Sequence, residues 1–193
     1  HRDAASMRQW TVVGCIASLV EHKDPLNLIR AAERIRHSRP DVCVVLVGEG
    51  PLRPDLEKTI RELRLDNVVL EGYQDDPYSY FGIFDCFVMA SRQEGLCSSI
   101  LDAFWQEVPV VATSAGGIPE LVVDQETGLL ARPEDPQDLA RALESMLGNK
   151  ELQDRCVRRA REVLEERFSL QTMARAYAAI YEQLCSAPKP ASQ

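Results

Sequence analysis

Residues 41–65 read DVCVVLVGEGPLRPDLEKTIRELRL and contain, in order, the three features that decide the fold. The apolar run at 42–47 is short, unbroken and rich in valine, which is typical of a strand buried on both faces. A turn with two glycines follows at 48–51, and a segment with helical spacing follows at 54–65. Strand, glycine turn and helix in this order indicate one unit of a parallel α/β sheet.

The same unit recurs along the chain. Further apolar runs of strand length lie at 10–17, 67–72, 85–90 and 108–113, with a weaker one at 128–131. Helical patterns lie at 24–38, 54–65, 96–107 and 135–149, and two more follow at 150–168 and 169–185. This alternation predicts an α/β fold: a Rossmann-like, doubly wound parallel sheet of about six strands, with helices on both faces and C-terminal helices at the end.

Two helical segments carry apolar faces. The first opens with Asp24 as a predicted cap and Pro25 at the first helical position. Its predicted buried face comprises Leu28, Ala31, Ala32 and Ile35. The last helix has an apolar stripe of Met173, Ala176, Tyr177, Ile180 and Leu184, which we expect to be an ordinary packing face with part of it available to a partner.

The length of 193 residues predicts one domain. We expect a linker or a remnant of a longer chain at 1–9, a ligand-binding domain at 10–185 and a flexible tail at 186–193. The chain begins with His1 and shows no signal-peptide pattern, so we expect an excised fragment.

Composition excludes several classes of protein. The formal net charge is -8 and basic residues form no patch, so nucleic acid is not an expected partner. The apolar runs are far shorter than the ~20 residues of a membrane span. The six cysteines form no C-x-x-C pair and no cluster with histidine. We therefore expect a soluble, cytoplasmic protein with reduced thiols and no metal site.

Four loops that join a strand to a helix have an unusual composition. They are ASLVEHKDP (17–25), GEGPLRP (48–54), SRQEGLCSS (91–99) and SAGGIPE (114–120). Glycine lets a ligand approach the backbone closely, and helix N-termini attract anions. Taken singly each loop has an ordinary explanation: a tight turn, a surface lysine at Lys23, a bend at Gly116 and Gly117, a helix-end carboxylate at Glu120. Their convergence at one edge of the sheet predicts a phosphate site.

Glu94 and Asp102 bracket the start of the predicted helix at 96–107. At the helical rise per residue they are separated by roughly 10 Å, which does not suit a tight acid/base pair. Two carboxylates on either side of a helix N-terminus instead suit a ligand that has hydroxyls at both ends and phosphate between them. A nucleotide sugar has this layout.

The order and spacing of these motifs closely resemble the donor-binding, C-terminal domain of family 4 (group 1) glycosyltransferases with the GT-B fold. The motifs are SLVEHKDPLNLIRAAERI, VVLVGEGPLRPDLE, NVVLEGYQDD, FDCFVMASRQEGLCSSILDAF, VPVVATSAGGIPELV and TGLLARPEDPQDLARAL. The resemblance covers about residues 11–185. It implies that the chain is one half of a GT-B fold.

The resemblance also implies roles for individual residues. Glu94 matches the residue that holds hydroxyls of the transferred sugar, Asp102 the residue that holds the ribose hydroxyls, and Lys23 the lysine that neutralises the diphosphate. The remaining donor-binding positions are Gly95, Leu96, Cys97 and Ser98 at the diphosphate, Gly48, Gly50 and Pro51 in the nucleotide loop, and Tyr73 at the base.

Three positions depart from the family pattern. Ser18 stands where an arginine commonly helps to grip the leaving diphosphate, and Arg92 is a candidate substitute for that cation. Asp102 is one methylene shorter than the usual glutamate. Glu107 stands where the family usually has glycine. These departures leave the implied fold unchanged and bear on catalysis.

The activity implied by the resemblance is retaining transfer from a nucleoside-diphosphate sugar, without cofactor or essential metal. The acceptor would be held by an N-terminal domain, through which alone we expect any peripheral membrane association. One alternative is a catalytically degenerate nucleotide-binding or scaffolding module of the same fold. A UDP-sugar epimerase is less favoured, because His1, His22 and His37 are few and lie early in the chain.

Overall fold

The computed structural model describes residues 10–186 and contains one six-stranded parallel sheet. The strands are β1 (Thr11–Ile16), β2 (Val42–Val47), β3 (Val68–Gly72), β4 (Cys86–Met89), β5 (Val110–Thr113) and β6 (Leu129–Ala131). Their order across the sheet is β3-β2-β1-β4-β5-β6, and every neighbouring pair is parallel. All six predicted strands are confirmed, and the order is that of a Rossmann-like doubly wound sheet.

Helices cover both faces of the sheet, as predicted. They are α1 (Pro25–Ile35), α2 (Arg53–Glu62), α3 (Ser98–Trp105), α4 (Ile118–Leu121), α5 (Pro136–Gly148), α6 (Lys150–Arg167) and α7 (Leu170–Ser186). Buried residues of α1, α2 and α5 join one hydrophobic core and buried residues of α3 and α4 join the other, while α6 contributes to both. The predicted linker at 1–9 lies outside the described residues, as does the predicted tail apart from Ser186.

Side-chain alternation along the central strands separates the two cores. In β2, Val44 and Leu46 point to the α1 side, whereas Val45 and Val47 point to the α3 side. The predicted buried face of α1 is confirmed, because Leu28, Ala31, Ala32 and Ile35 are fully buried. The predicted cap is confirmed as well: the Asp24 carboxylate accepts a hydrogen bond of 3.3 Å from the Asn27 amide.

Helix α3 begins at Ser98, two residues after the predicted start at Leu96. The backbone of Cys97 has φ -82° and ψ 87°, which is not helical, and its side chain accepts no capping hydrogen bond. Residues 95–97 therefore remain in the loop, where their amides are not committed to a helical turn.

Helix α7 differs from the sequence expectation. Met173, Tyr177 and Ile180 are 50%, 57% and 51% exposed, so the stripe that they form is not packed as expected. Ala176 is exposed as well, and the side chain of Leu184 is not among those that the structure describes. Across residues 10–186, none of the helices has the length and apolar character that crossing a membrane requires.

The strand order places a topological switch point between β1 and β4. The chain moves outward from β1 through β2 to β3, and then returns to the other side of β1 to form β4, β5 and β6. Loops leaving adjacent strands on opposite sides of such a point diverge and leave a crevice at the carboxyl edge of the sheet. The loops after β1 and β4 flank this crevice, and they carry Lys23 and Glu94.

Candidate functional site

Lys23 and Glu94 meet across the switch point. The Lys23 ammonium donates a hydrogen bond to Glu94 Oε1, and the two side chains also form an ion pair. The Glu94 side chain is only 7% exposed and that of Lys23 is 21% exposed. Ser91 Oγ donates a second hydrogen bond, of 2.8 Å, to the same carboxylate oxygen. A cation and an oriented carboxylate are therefore held together at the carboxyl edge of the sheet, as the sequence predicts.

Ser91 was not identified from the sequence. It is fully buried, and Thr113 Oγ1 at the end of β5 donates a 2.5 Å hydrogen bond to its carbonyl oxygen. This bond ties the loop after β4 to the neighbouring strand. A small polar residue directly after a buried strand, three positions before a candidate carboxylate, is the signal that could have identified it.

Two glycines support the backbone of Glu94. Gly116 has φ 53°, and a Cβ on it would overlap the carbonyl oxygen of Glu94. The Gly117 amide donates a 3.0 Å hydrogen bond to that same oxygen. The glycine pair in the loop after β5 therefore serves to let this loop pack directly against the loop that carries Glu94.

The amides of Gly95, Leu96 and Cys97 precede the first turn of α3. Within residues 10–186, none of these three N–H groups donates a hydrogen bond to a protein acceptor. Leu96 is 66% exposed, and Ser98, the first helical residue, is exposed too. Free amides next to a helix N-terminus favour an anion, because the N–H groups point outward and the helix dipole adds positive potential.

The loop after β2 lies beside the loop after β1. Gly48 has φ 140°, and a Cβ there would overlap the carbonyl oxygen of Ala17, so only glycine fits. The Leu19 amide donates to the Glu49 carbonyl at 2.9 Å, and the Gly48 amide donates to the Gly72 carbonyl at 2.9 Å. Backbone bonds therefore join the ends of β1, β2 and β3.

The other residues expected around the nucleotide lie at these same loops. Gly50 packs against the backbone of Leu19, and Pro51 beside it is exposed. Tyr73 follows β3 directly and is 72% exposed. Ser18 is exposed in the loop after β1, where its carbonyl accepts a 2.9 Å hydrogen bond from the Val20 amide.

Asp102 is set apart from the pair of Lys23 and Glu94. Its carboxylate forms no hydrogen bond or ion pair within residues 10–186. It lines a groove between α3 and the junction of α6 with α7, together with Trp105, Phe168 and Leu170. Partial burial raises the pKa of the Asp102 carboxyl above its usual range. The structure thus presents an unpaired, partly desolvated carboxylate on α3.

Arg92 forms ion pairs with two carboxylates of the protein itself. Its Nε donates to Asp24 Oδ2 at 2.8 Å and its Nη2 donates to Asp24 Oδ1 at 3.3 Å. Nη1 lies 3.4 Å from Glu134 Oε1. The hydrogen bond to Asp24 is the main cause that raises the pKa of the guanidinium. Arg92, the candidate substitute for the cation missing at Ser18, is thus already paired with two carboxylates.

No group of three or more metal-ligating side chains occurs in the part of the chain that the structure describes. The pair of Lys23 and Glu94 lies beside the α3 N-terminus, and Asp102 lies further along that helix. This arrangement is able to neutralise an anion and to accept hydrogen bonds from hydroxyl groups on either side of it.

Comparisons with known proteins agree with this geometry. The family described as "Glycosyl transferases group 1" matches residues 6–163. The chain is 34% identical over 167 residues to a lipopolysaccharide core biosynthesis glycosyltransferase of Rhizobium meliloti, covering 86% of this chain and 48% of that protein. It is 34% identical over 187 residues to the alpha-D-kanosaminyltransferase of Streptomyces kanamyceticus, covering 95% and 48%. The chain thus spans about half the length of these relatives.

Two solved structures place the fold among glycosyltransferase domains. The C-terminal domain of LpcC, a group 1 glycosyl transferase of Francisella tularensis, superposes with a TM-score of 0.76 at 25% identity, covering 85% of this chain and 93% of that one. Anabaena HepE in complex with UDP-glucose superposes with a TM-score of 0.84 at 25% identity, covering 93% and 50%. The chain has the Rossmann-like fold of a C-terminal GT-B domain, and it belongs to the group 1 glycosyltransferase family.

Proposed function

We propose that this chain is the donor-binding half of a retaining glycosyltransferase, which binds a nucleoside-diphosphate sugar and transfers the sugar to an acceptor held by an N-terminal domain. The observation that carries the proposal is the pairing of Lys23 with Glu94 beside the free amides of Gly95, Leu96 and Cys97. HepE has been solved in complex with UDP and glucose and in complex with UDP-glucose, which supports a nucleotide-sugar donor here.

In this proposal the diphosphate binds the α3 N-terminus and Lys23. As the bond between the sugar and the diphosphate breaks, negative charge grows on the departing phosphate oxygen. Preoriented amides and an ammonium group stabilise that charge without rearranging at the moment of reaction. Glu94 accepts hydrogen bonds from sugar hydroxyls, and Asp102 accepts them from the ribose. No nucleophilic side chain, cofactor or metal ion is needed from this domain.

The two-domain arrangement is part of the proposal. The chain spans about half of its first curated relatives, which leaves room in them for a second domain of similar size. Closure of two domains over the donor would exclude water before transfer. We therefore propose a cytoplasmic enzyme whose acceptor specificity lies in the N-terminal domain, and a fragment that binds donor without turning it over.

Calorimetric titration of this chain with UDP, GDP and ADP, and then with their sugars, tests the donor site. We expect one of the three nucleotides to bind, and Lys23→Ala to weaken it by about ten- to a hundredfold. Lys58→Ala is the matched control, because Lys58 is exposed and its pair with Glu62 is long at 3.9 Å. Absence of binding at millimolar concentrations of every nucleotide would contradict the proposal.

The alternative of a catalytically degenerate module is favoured by one observation: Ser18 supplies no cation, and Arg92 is held by Asp24 and Glu134. Both hypotheses predict nucleotide binding, so turnover must separate them. With the acceptor domain joined to this chain, the enzyme hypothesis predicts transfer that Glu94→Ala abolishes. Donor binding without any transfer would support the degenerate module.

A further inference from the structure

Arg92 joins three loops at the carboxyl edge of the sheet. It lies in the loop after β4, while its partner Asp24 ends the loop after β1 and its partner Glu134 lies in the loop after β6. The distances are 2.8 Å and 3.3 Å to the two Asp24 oxygens and 3.4 Å to Glu134. One side chain therefore connects the segment that carries Glu94 with two others.

The pair of Arg92 with Asp24 differs from the surface ion pairs of this chain. The Asp24 side chain is only 4% exposed, and the guanidinium contacts both of its oxygens. Two hydrogen bonds from a planar guanidinium to one carboxylate fix the relative orientation of both groups, which a single bond does not. Because Asp24 is buried, loss of Arg92 would leave a desolvated carboxylate without its ion-pair partner.

Both carboxylates that hold Arg92 stand on left-handed backbone. Asp24 has φ 44° and Glu134 has φ 57°. Glycine would adopt this conformation without strain, and of the other residues aspartate tolerates it better than glutamate does. Four charged residues of the described part stand on left-handed backbone, namely Asp24, Arg64, Glu107 and Glu134, and two of these, Asp24 and Glu134, pair with Arg92.

The position of Asp24 determines that of Lys23, which precedes it directly. The amides of Arg92 and Gln93 also donate to the His22 carbonyl, at 2.8 Å and 3.4 Å. The loop after β4 therefore holds residues 22 and 24 on both sides of Lys23. Two residues beyond Arg92, the same loop presents Glu94 to the Lys23 ammonium.

We infer that Arg92 is a positioning residue: it fixes Asp24, and through it Lys23, opposite Glu94, and does not itself bind the diphosphate. The inference rests on the proposed function, since Lys23 matters for the diphosphate only if this is a donor site. It gives Arg92 a different role from that of a second diphosphate cation.

A double-mutant cycle tests this role. The ligand is whichever of UDP, GDP and ADP binds the unchanged chain most tightly, and the variants are Arg92→Ala, Asp24→Asn and both together. Asparagine tolerates left-handed backbone and caps helices as well as aspartate, so Asp24→Asn keeps the loop and the cap while it removes the charge and one of the two oxygens that accept from Arg92. We expect each single variant to weaken binding about five- to tenfold, and the double variant to be no weaker than the weaker single one.

Two further measurements separate positioning from general damage. The corresponding nucleoside, titrated by NMR, should bind all variants equally, because only the diphosphate depends on Lys23. Arg92→Lys should recover only part of the affinity, since an ammonium group does not reproduce the two-bond contact with Asp24. Arg141→Ala is the matched control: this exposed arginine of α5 pairs with Asp138 at 2.8 Å, and its loss should leave binding unchanged.

The outcomes are distinct. An unchanged nucleotide affinity in Arg92→Ala would overturn the inference. It would also be overturned if Arg92→Ala weakened binding as much in the Asp24→Asn background as in the unchanged chain, because that result would mean that Arg92 contacts the diphosphate directly. An equal loss for nucleoside and diphosphate would also overturn it in favour of a merely structural role. If the unchanged chain binds none of the nucleotides, the proposed function fails first and the inference fails with it.

Discussion

At the scale of single residues, the central feature of the site is the ion pair of Lys23 with Glu94. The carboxylate neutralises an ammonium that an anionic ligand would also neutralise, so the two compete for it. Each charge has a low exposure, and removing one leaves the other desolvated. Substitution of either residue should therefore change both stability and ligand preference.

Substitution of Glu94 by glutamine should change these two properties in a defined way. The variant keeps the shape of the side chain but leaves Lys23 without its counter-charge, so the free energy of unfolding should fall by about 1–3 kcal/mol. Lys23 becomes available to phosphate, so affinity for the free nucleoside diphosphate should not fall, whereas the preference for the nucleotide sugar should. Denaturant unfolding and calorimetry measure the two effects.

The control for this substitution is Glu62→Gln, which removes an exposed carboxylate at the end of a 3.9 Å pair with Lys58. Its effect on unfolding should be below about 0.5 kcal/mol. If Glu94→Gln weakened the free diphosphate as strongly as the nucleotide sugar, the carboxylate would not be the group that senses the sugar.

Asp102→Asn should stabilise the fold and weaken donor binding. Burial raises the pKa of this carboxyl, so its charged form is disfavoured in the folded state. The folded protein then binds a proton more readily than the unfolded chain does, so the penalty begins as the pH rises past the unfolded-state pKa and is complete above the folded-state pKa. Near pH 7 the asparagine variant should therefore be more stable by less than about 1 kcal/mol, while it should bind the nucleotide less tightly.

The pH dependence provides the check for Asp102. As the pH falls through the titration range of the carboxyl, wild-type Asp102 becomes protonated and the stability difference from Asp102→Asn should disappear. Thermal unfolding at a series of pH values measures this. A stability difference that stayed constant with pH would mean that burial of the charge is not its cause.

At this scale the sequence predicts where these residues lie in the fold better than it predicts their contacts. Lys23, Glu94 and the three amides stand out because they lie in loops that directly follow buried strands. The pair of Arg92 with Asp24 spans 68 positions of chain and has no sequence pattern of its own. The sequence therefore shows only the charge of Arg92, whereas its role depends on the ion-pair partners that it has in the folded protein.

At the scale of elements, the C-terminal end of α3 shows why one departure from the family pattern matters. The Val108 amide bonds to the Ala103 carbonyl at 3.0 Å and the Glu107 amide bonds to the Phe104 carbonyl at 3.2 Å. This pair of bonds is a Schellman motif, which requires a left-handed residue at the position of Glu107. Its φ is 57°, so a glutamate occupies a conformation that favours glycine.

Glu107→Gly should therefore stabilise the protein. Relief of the left-handed strain exceeds the entropy cost of glycine, and we expect a gain of about 0.5–1 kcal/mol in the free energy of unfolding. The matched control is Gln106→Gly, one residue earlier, where φ is -83° and glycine gives no relief; it should destabilise. A loss of stability in Glu107→Gly, measured by denaturant unfolding, would contradict the strain argument.

Elements differ in how far the sequence could define them. The strands are recognisable because burial on both faces makes them continuously apolar, and β2 is buried at every position. The sequence predicts the start of α3 two residues too early, because no residue there is a distinctive N-cap. The exposure of α7 is not predictable from the sequence, because an apolar stripe at helical spacing has the same sequence pattern whether or not a neighbouring surface covers it.

At the scale of the whole molecule, cysteine accessibility reports on the integrity of the fold. Five of the six cysteines are buried, and Cys185 alone is exposed. Burial raises the pKa of Cys15 to about 12 and raises the pKa of Cys86 as well. Thiolate is the reactive form, so these thiols are protected by both access and ionisation.

We expect one fast-reacting thiol in the native protein at about pH 8, and six after unfolding in denaturant. Reaction with a chromogenic disulfide measures both numbers. Cys185→Ser should remove the fast phase completely and leave only slow reaction limited by opening of the fold. A second fast thiol in the native protein would indicate that one of the buried sites opens locally.

The switch point has a mechanical consequence for the sheet. All six residues of β1 pair with β2, whereas only Val13 and Gly14 pair with β4, at Cys86 and Phe87. The two halves of the sheet thus meet along a short seam, and Lys23 and Glu94 stand on opposite sides of it. A ligand that contacts both sides would link the two halves noncovalently and add its binding free energy to the free energy needed to separate them. Occupancy of the site would then slow the amide exchange of β1 and β4, the two strands whose loops hold the ligand.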